Sequence, residues 1–119
     1  MSYTMYGIKN CNTIKKAKTY LETHEIPYEF HDYRSQGIDR TLIEHFLTHF
    51  SIDDLLNRRG MTWRQLTDDE KNAVTKDQEK AIELMLAKPA IIKRPILEHN
   101  SQALLGFSDE SYAQFLAQE

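Results

Sequence analysis

The stretch Tyr3–Ala17, YTMYGIKNCNTIKKA, constrains this chain more than any other. Its first part is β-prone, with Tyr3, Thr4, Met5, Tyr6 and Ile8 punctuated by Gly7. Ile14, Ala17 and Leu21 then recur at helical spacing. The pattern predicts a short strand, a tight loop and the opening of a helix, with Asn10 or Thr13 as its N-cap. The single cysteine, Cys11, falls in that loop. A thiol there faces the unpaired N–H groups of the first helical turn and the positive end of the helix dipole. Both favour the thiolate, the nucleophilic form. Lys9, Lys15 and Lys16 add positive charge nearby. A lone cysteine is elsewhere often a small buried hydrophobe; its place between strand and helix argues for a reactive one.

Along the chain, the first helix is expected from about Cys11 to His24. Pro27 stops it and pushes Ile26 toward extended geometry. Tyr28–Tyr33 reads as a second strand. Strand, helix, strand predicts a parallel βαβ unit with a right-handed crossover. Asp39 is a good N-cap for a helix carrying Leu42, Ile43, Phe46, Leu47 and Phe50 on one stripe. Four capping-box patterns come next: Ser51…Asp54, Thr62…Gln65, Thr67…Glu70 and Thr75…Gln78. Together they predict several short helices up to Lys88, with Trp63 as a packing anchor. Ala90–Leu97 reads as a buried strand. Pro95 interrupts it, which implies an edge, a bulge or a special peptide bond. Glu98–Gln102 forms a turn into Ala103–Phe107, so these strands make a hairpin. Ser108 caps a last helix with Tyr112, Phe115 and Leu116 inward. The sum is an α/β chain: a four-stranded mixed sheet, with a helical insertion over about 39–88 between its βαβ and ββα halves.

Composition removes several function classes. Eighteen acidic against fifteen Lys and Arg residues leave a net charge of −3. No polybasic surface is therefore available for nucleic acid or an anionic membrane. No apolar run reaches the length of a membrane span. The start of the chain lacks a basic-then-apolar signal pattern, and one cysteine excludes an internal disulfide. A cytoplasmic protein is expected, folded as one domain over 1–119 and monomeric. His45 and His49 stand at a ligand-like i, i+4 spacing. No zinc-protease pattern surrounds them, so they read as surface histidines and no metal is expected.

The element order, with cysteine after the first strand and proline at the third, resembles the thioredoxin fold. YGIKNCNTIKKA, LLNRRG, IIKRPIL and LLGF resemble the arsenate reductase-like (ArsC) family nearly end to end. The likeness is closest to its small YffB-type members and looser to the Spx regulators. It implies that Cys11 is the nucleophile and that Arg94 lies beside a cis proline, Pro95. It also implies a second anion-binding arginine, at Arg59 or at the adjacent Arg58. The chain departs from arsenate reductases proper at Phe107, where they resemble one another in carrying an arginine just after the last strand. That departure argues against an arsenate site.

The residues after Cys11 constrain the mechanism. The position three residues on is Ile14, so no CxxC pair exists. Any disulfide formed at Cys11 must be resolved by an external thiol. Glutathione is the expected reducing co-substrate in a reducing cytoplasm, and the resemblance implies it too; no bound cofactor is expected. Arginine offers a planar fork of donors suited to an oxyanion or a carboxylate. Lys9, Lys15 and an arginine would hold the carboxylates of glutathione, with Asn10 and Pro95 completing the substrate site. The expected function is a glutathione-dependent thiol reductase acting on a small oxyanion or disulfide. The alternatives are a true arsenate reductase and a non-enzymatic Spx-like regulator binding RNA polymerase. Many Spx proteins resemble a CxxC pattern that this chain lacks.

Overall fold

A computed structural model describes residues 3–9 and 11–117. The elements run β1 (Tyr3–Gly7), α1 (Asn12–Thr23), β2 (Tyr28–Asp32), α2 (Arg40–Phe46), α3 (Ile52–Leu55) and α4 (Met61–Arg64). Then come α5 (Asp68–Lys76), α6 (Gln78–Ala87), a 3-10 turn (Pro89–Ile91), β3 (Ile96–His99), β4 (Gln102–Leu105) and α7 (Asp109–Ala117). The chain divides into two compact units: Met1–Gln36 with Arg94–Glu119, and Gly37–Lys93.

The first unit holds a thioredoxin-like mixed sheet of order β2-β1-β3-β4. β1 runs parallel to β2, with Tyr3 opposite Tyr28 and Gly7 opposite Asp32. It runs antiparallel to β3, with Met5 opposite Leu97. β1 alternates, so Tyr3 and Met5 turn the same way into the core. There they meet Ile14, Ala17 and Leu21 of α1 and Tyr112 and Phe115 of α7. The 3.6-residue period of α1 and the two-residue period of β1 thus supply one shared apolar layer. Truncating Met5, Ile14 or Leu21 to alanine costs about 2–5 kcal/mol, since each is almost wholly buried.

The end of α1 explains the step into β2. The N–H of Ile26 donates to Leu21 O at 2.9 Å and that of Glu25 to Glu22 O at 3.1 Å. These are the two bonds of a Schellman motif, and Glu25 takes its left-handed position at φ 56°. The helix therefore stops before Pro27 acts. Its start also differs from expectation. Cys11, not Thr13, occupies the N-cap position, and Thr13 is helical. Asn10, the other expected cap, lies outside the described residues.

Two further expectations are corrected in the second half of the sheet. Ala90–Leu97 is not one strand: Pro89–Ile91 winds a 3-10 turn, and the ladder begins only at Ile96. A proline has no N–H for the ladder, so pairing starts beyond Pro95. The Arg94–Pro95 peptide bond is cis. The hairpin turn is two residues long, not five. Asn100 and Ser101 both take the left-handed region, at φ 51° and 67°. Both central residues of a type I′ turn need that geometry, and asparagine tolerates it well.

The second unit is helical. Asp39 caps α2 by accepting from the Leu42 N–H at 2.8 Å. α2 stops at Phe46, so Phe50 lies past its end. Capping boxes form at Ser51–Asp54 and Thr67–Glu70. The other two do not. Gly60 takes the N-cap position of α4, which puts Thr62 inside the helix. Asp77 caps α6 through the Glu79 N–H, and Thr75 stays within α5. In both places a residue better suited to a non-helical φ/ψ stands closer to the helix start. α6 packs against α2, α5 and the 3-10 turn. A bridge between Leu56 and Ile92 closes the unit. Among the described residues, no helix is long and apolar enough to cross a membrane.

The strained cap at Glu25 yields a stability prediction. Glu25→Gly is expected to raise stability by about 0.5–1 kcal/mol, because glycine enters the left-handed region without the Cβ penalty. Urea unfolding should show a higher midpoint at unchanged slope. A lower midpoint would mean that the φ of Glu25 costs nothing.

Candidate active site

The site is built where β1 meets α1. A Cβ on Gly7 would overlap Ile14 Cδ1 and stand 3.7 Å from the Cβ of Arg94. Glycine lets the end of β1 come this near to Ile14 with no shift of that side chain. Beyond it the loop is anchored by Asp32, a buried carboxylate at the end of β2. Asp32 Oδ2 accepts from the Lys9 N–H at 3.4 Å, and Oδ1 from the Arg34 N–H at 2.8 Å. The Tyr33 N–H donates to Gly7 O at 2.9 Å. Sequence reasoning missed Asp32 as a positioning residue. The available signal was an aspartate at a strand end with an amide two residues on, the pattern of an Asx turn.

Cys11 sits half-buried at the N-cap of α1, with extended backbone at φ −112° and ψ 133°. Arg94 Nε donates to its Sγ at 3.4 Å. Burial pushes the thiol up, but the N–H of Ile14, the guanidinium of Arg94 and the N–H of Thr13 together outweigh it. The net result holds Cys11 below the ordinary thiol value. The sulfur makes no ordinary cap hydrogen bond, so these amides act on the anion rather than on the neutral thiol. Tyr33 lies buried nearby; burial and Tyr6 push its phenol far up, against the pull of Arg94.

The expected site residues separate into groups. Cys11 and Arg94 are in direct contact. Lys9 and Lys15 line a cavity of about 480 Å³ with Cys11, Asn12, Ile14 and Lys18. Pro95 is buried next to Arg94, and its carbonyl accepts from the Gly106 N–H at 2.8 Å. Arg58 and Arg59 belong to the second unit. Arg58 donates to Asp53 Oδ1 at 2.6 Å, and its guanidinium carbon lies 5.2 Å from the Trp63 ring centre. Arg59 is exposed, and its side chain has no ion pair among the described residues. Asn10, expected at the substrate site, lies outside them.

Comparison with known proteins settles the family. The model of the ArsC family matches residues 6–115. The chain belongs to the ArsC family. A solved structure named YFFB is 45% identical, superposes with a TM-score of 0.86, and the match covers 95% of this chain and 97% of that one. A Haemophilus influenzae protein, whose name assigns no activity, is 41% identical over 92% of this chain and 94% of its own length. The global transcriptional regulator Spx of Streptococcus pneumoniae is 24% identical over 95% of this chain and 84% of its own length. The motif-based expectation of an ArsC-like chain with YffB and Spx kin therefore holds.

The contact between Cys11 and Arg94 makes the pH dependence specific. The rate of iodoacetamide alkylation should rise through an inflection below about 8.5, the value for a free thiol. Arg94→Ala is expected to move that inflection upward. Arg94→Lys should restore it only in part, because lysine has no donor at the Nε position. The folded thiol is depressed relative to the unfolded one. Its contribution to stability is therefore fully present above the unfolded value and lost as pH falls through the folded one. An inflection insensitive to both substitutions would remove Arg94 from the site.

Proposed function

We propose that this protein is a thiol reductase that draws electrons from glutathione, with Cys11 as nucleophile. The observation that carries the reading is the Arg94 guanidinium on Cys11 Sγ at the start of α1. A structural cysteine has no use for a donor that stabilises its anion. In the proposed reaction the Cys11 thiolate attacks one sulfur of a disulfide, and the other sulfur leaves as thiolate and takes up a proton. Ile14 occupies the position where a resolving cysteine would stand, so glutathione attacks the mixed disulfide and releases Cys11 as thiolate. Lys9 and Lys15, which line the cavity with Cys11, suit the carboxylates of glutathione.

Two other readings are weaker. An arsenate reductase calls for more positive charge at the end of the last strand, where this chain has half-buried Phe107. A purely regulatory module like the Spx proteins has no need of a depressed thiol without a second cysteine. Arg58 is engaged by Asp53 and Trp63 within its own unit, and the reaction above calls on neither it nor Arg59.

Incubation with oxidised glutathione followed by intact mass tests the reaction. Cys11 should gain one glutathionyl group, Cys11→Ser none, and excess reduced glutathione should strip the adduct. No adduct, or an adduct that glutathione cannot remove, defeats the proposal. Arg94 gives a second measurement. Arg94→Ala should weaken sulfate or glutathione binding by about tenfold, as loss of a charged hydrogen bond does. Arg58→Ala should leave affinity nearly intact and lower thermal stability slightly.

A further inference from the structure

A second cavity, of about 690 Å³, adjoins the first. The two share Asn12 and Lys15 as lining residues, so they meet at the first turn of α1, with Cys11 lining the first cavity and the second extending along the outer face of the helix. From there it runs along one stripe of the helix, through Lys16 and Tyr20 to His24, with Phe107 and Asp109 on the facing wall. Twelve residues of helix separate Asn12 from His24, a run of about 18 Å. Glutathione is a tripeptide and spans only about 10 Å when extended. An extended segment needs about five residues to fill the groove.

The lining has a polarity. Lys15 and Lys16, both exposed, stand at the end nearer Cys11. The far end is aromatic. Tyr20 and His24 stack at 4.1 Å between ring centres, and Tyr20 meets Phe107 edge-on at 5.9 Å. Asp109 is the only acid in the lining among the described residues. Such a surface attracts negative charge beside the reacting sulfur and takes an apolar side chain further along.

We propose that this groove seats the protein side of a mixed disulfide: an acidic, extended peptide segment of about five residues that carries a glutathionylated cysteine to Cys11. The inference rests on the thiol reductase reading and names its substrate class. Cys11 attacks the glutathionyl sulfur, the peptide sulfur leaves as thiolate and is protonated, and Cys11 becomes glutathionylated. A second glutathione then forms oxidised glutathione and regenerates the Cys11 thiolate. The net exchange converts glutathionylated peptide and glutathione into peptide thiol and oxidised glutathione. Phe107 then acts as a specificity residue: it gives an apolar wall to the groove where an arginine would give charge.

The test uses the full chain and two glutathionylated hexapeptides, one with Glu and one with Lys beside the cysteine. The cysteine–glutathione mixed disulfide serves as a small reference. The acidic peptide should be turned over with kcat/KM about tenfold above the basic one. In Lys16→Glu, its advantage over the small disulfide should fall by about tenfold. Fluorescence anisotropy of a labelled acidic hexapeptide with Ser in place of Cys reports binding without chemistry, and its Kd should rise about tenfold in Lys16→Glu. Equal turnover of both peptides, or binding indifferent to Lys16→Glu, would overturn the groove. Tight Lys16-dependent binding with no turnover of any disulfide would leave the groove standing and remove the reductase reading instead.

Discussion

The missing Cβ at Gly7 is the constraint on which the site depends. A methyl group there would overlap the Ile14 side chain of α1 and lie in ordinary contact with Arg94. Overpacking of that kind is relieved by moving backbone or side chains, at about 1–3 kcal/mol. Ile14 belongs to the first turn of α1, whose amides face the sulfur, so a shift there acts beside the Cys11–Arg94 contact. The closeness of β1, α1 and Arg94 is thus a packing fact before it is a chemical one.

The loop after Gly7 is then held by hydrogen bonds beside the buried Ile8. Asp32 accepts from the amides of Lys9 and Arg34, and Gly7 O accepts from Tyr33. Buried carboxylates seldom stay without such donors, because an unmet acceptor costs free energy in a low-dielectric surrounding. The parallel register of β1 with β2 sets Gly7 opposite Asp32. That register carries Asp32 to the cysteine loop. The thiol is then tuned by opposed effects: burial raises it, while helix-start amides and Arg94 lower it and prevail.

The chemistry stems from one sulfur with no intramolecular partner. A dithiol enzyme resolves its own disulfide; Cys11 has Ile14 where a second sulfur would sit. In the proposed reaction its release therefore depends on binding a second molecule, which gives weight to the lysines that line the cavity. Lys15 also lines the longer groove along α1, beside Lys16. In the proposed reading, recognition of substrate and of reductant share one stretch of helix.

Much of this was legible in the chain itself, because local patterns have local causes. Ile14, Ala17 and Leu21 mark the buried face of α1 by spacing alone, and the cysteine between strand and helix marks the candidate nucleophile. Asp39, Ser51 and Thr67 announce helix starts through side chains that reach their own backbone. Where two signals competed at short range, the pattern misled. Thr13 lost the cap of α1 to Cys11, and Thr62 and Thr75 lost theirs to Gly60 and Asp77. Tertiary structure alone decided the rest. That Asp32 holds the cysteine loop depends on strand register, and that Arg94 meets Cys11 depends on a contact across 83 positions of sequence. Pairings of that kind are selected by the packing of the whole unit, so no window of sequence contains them.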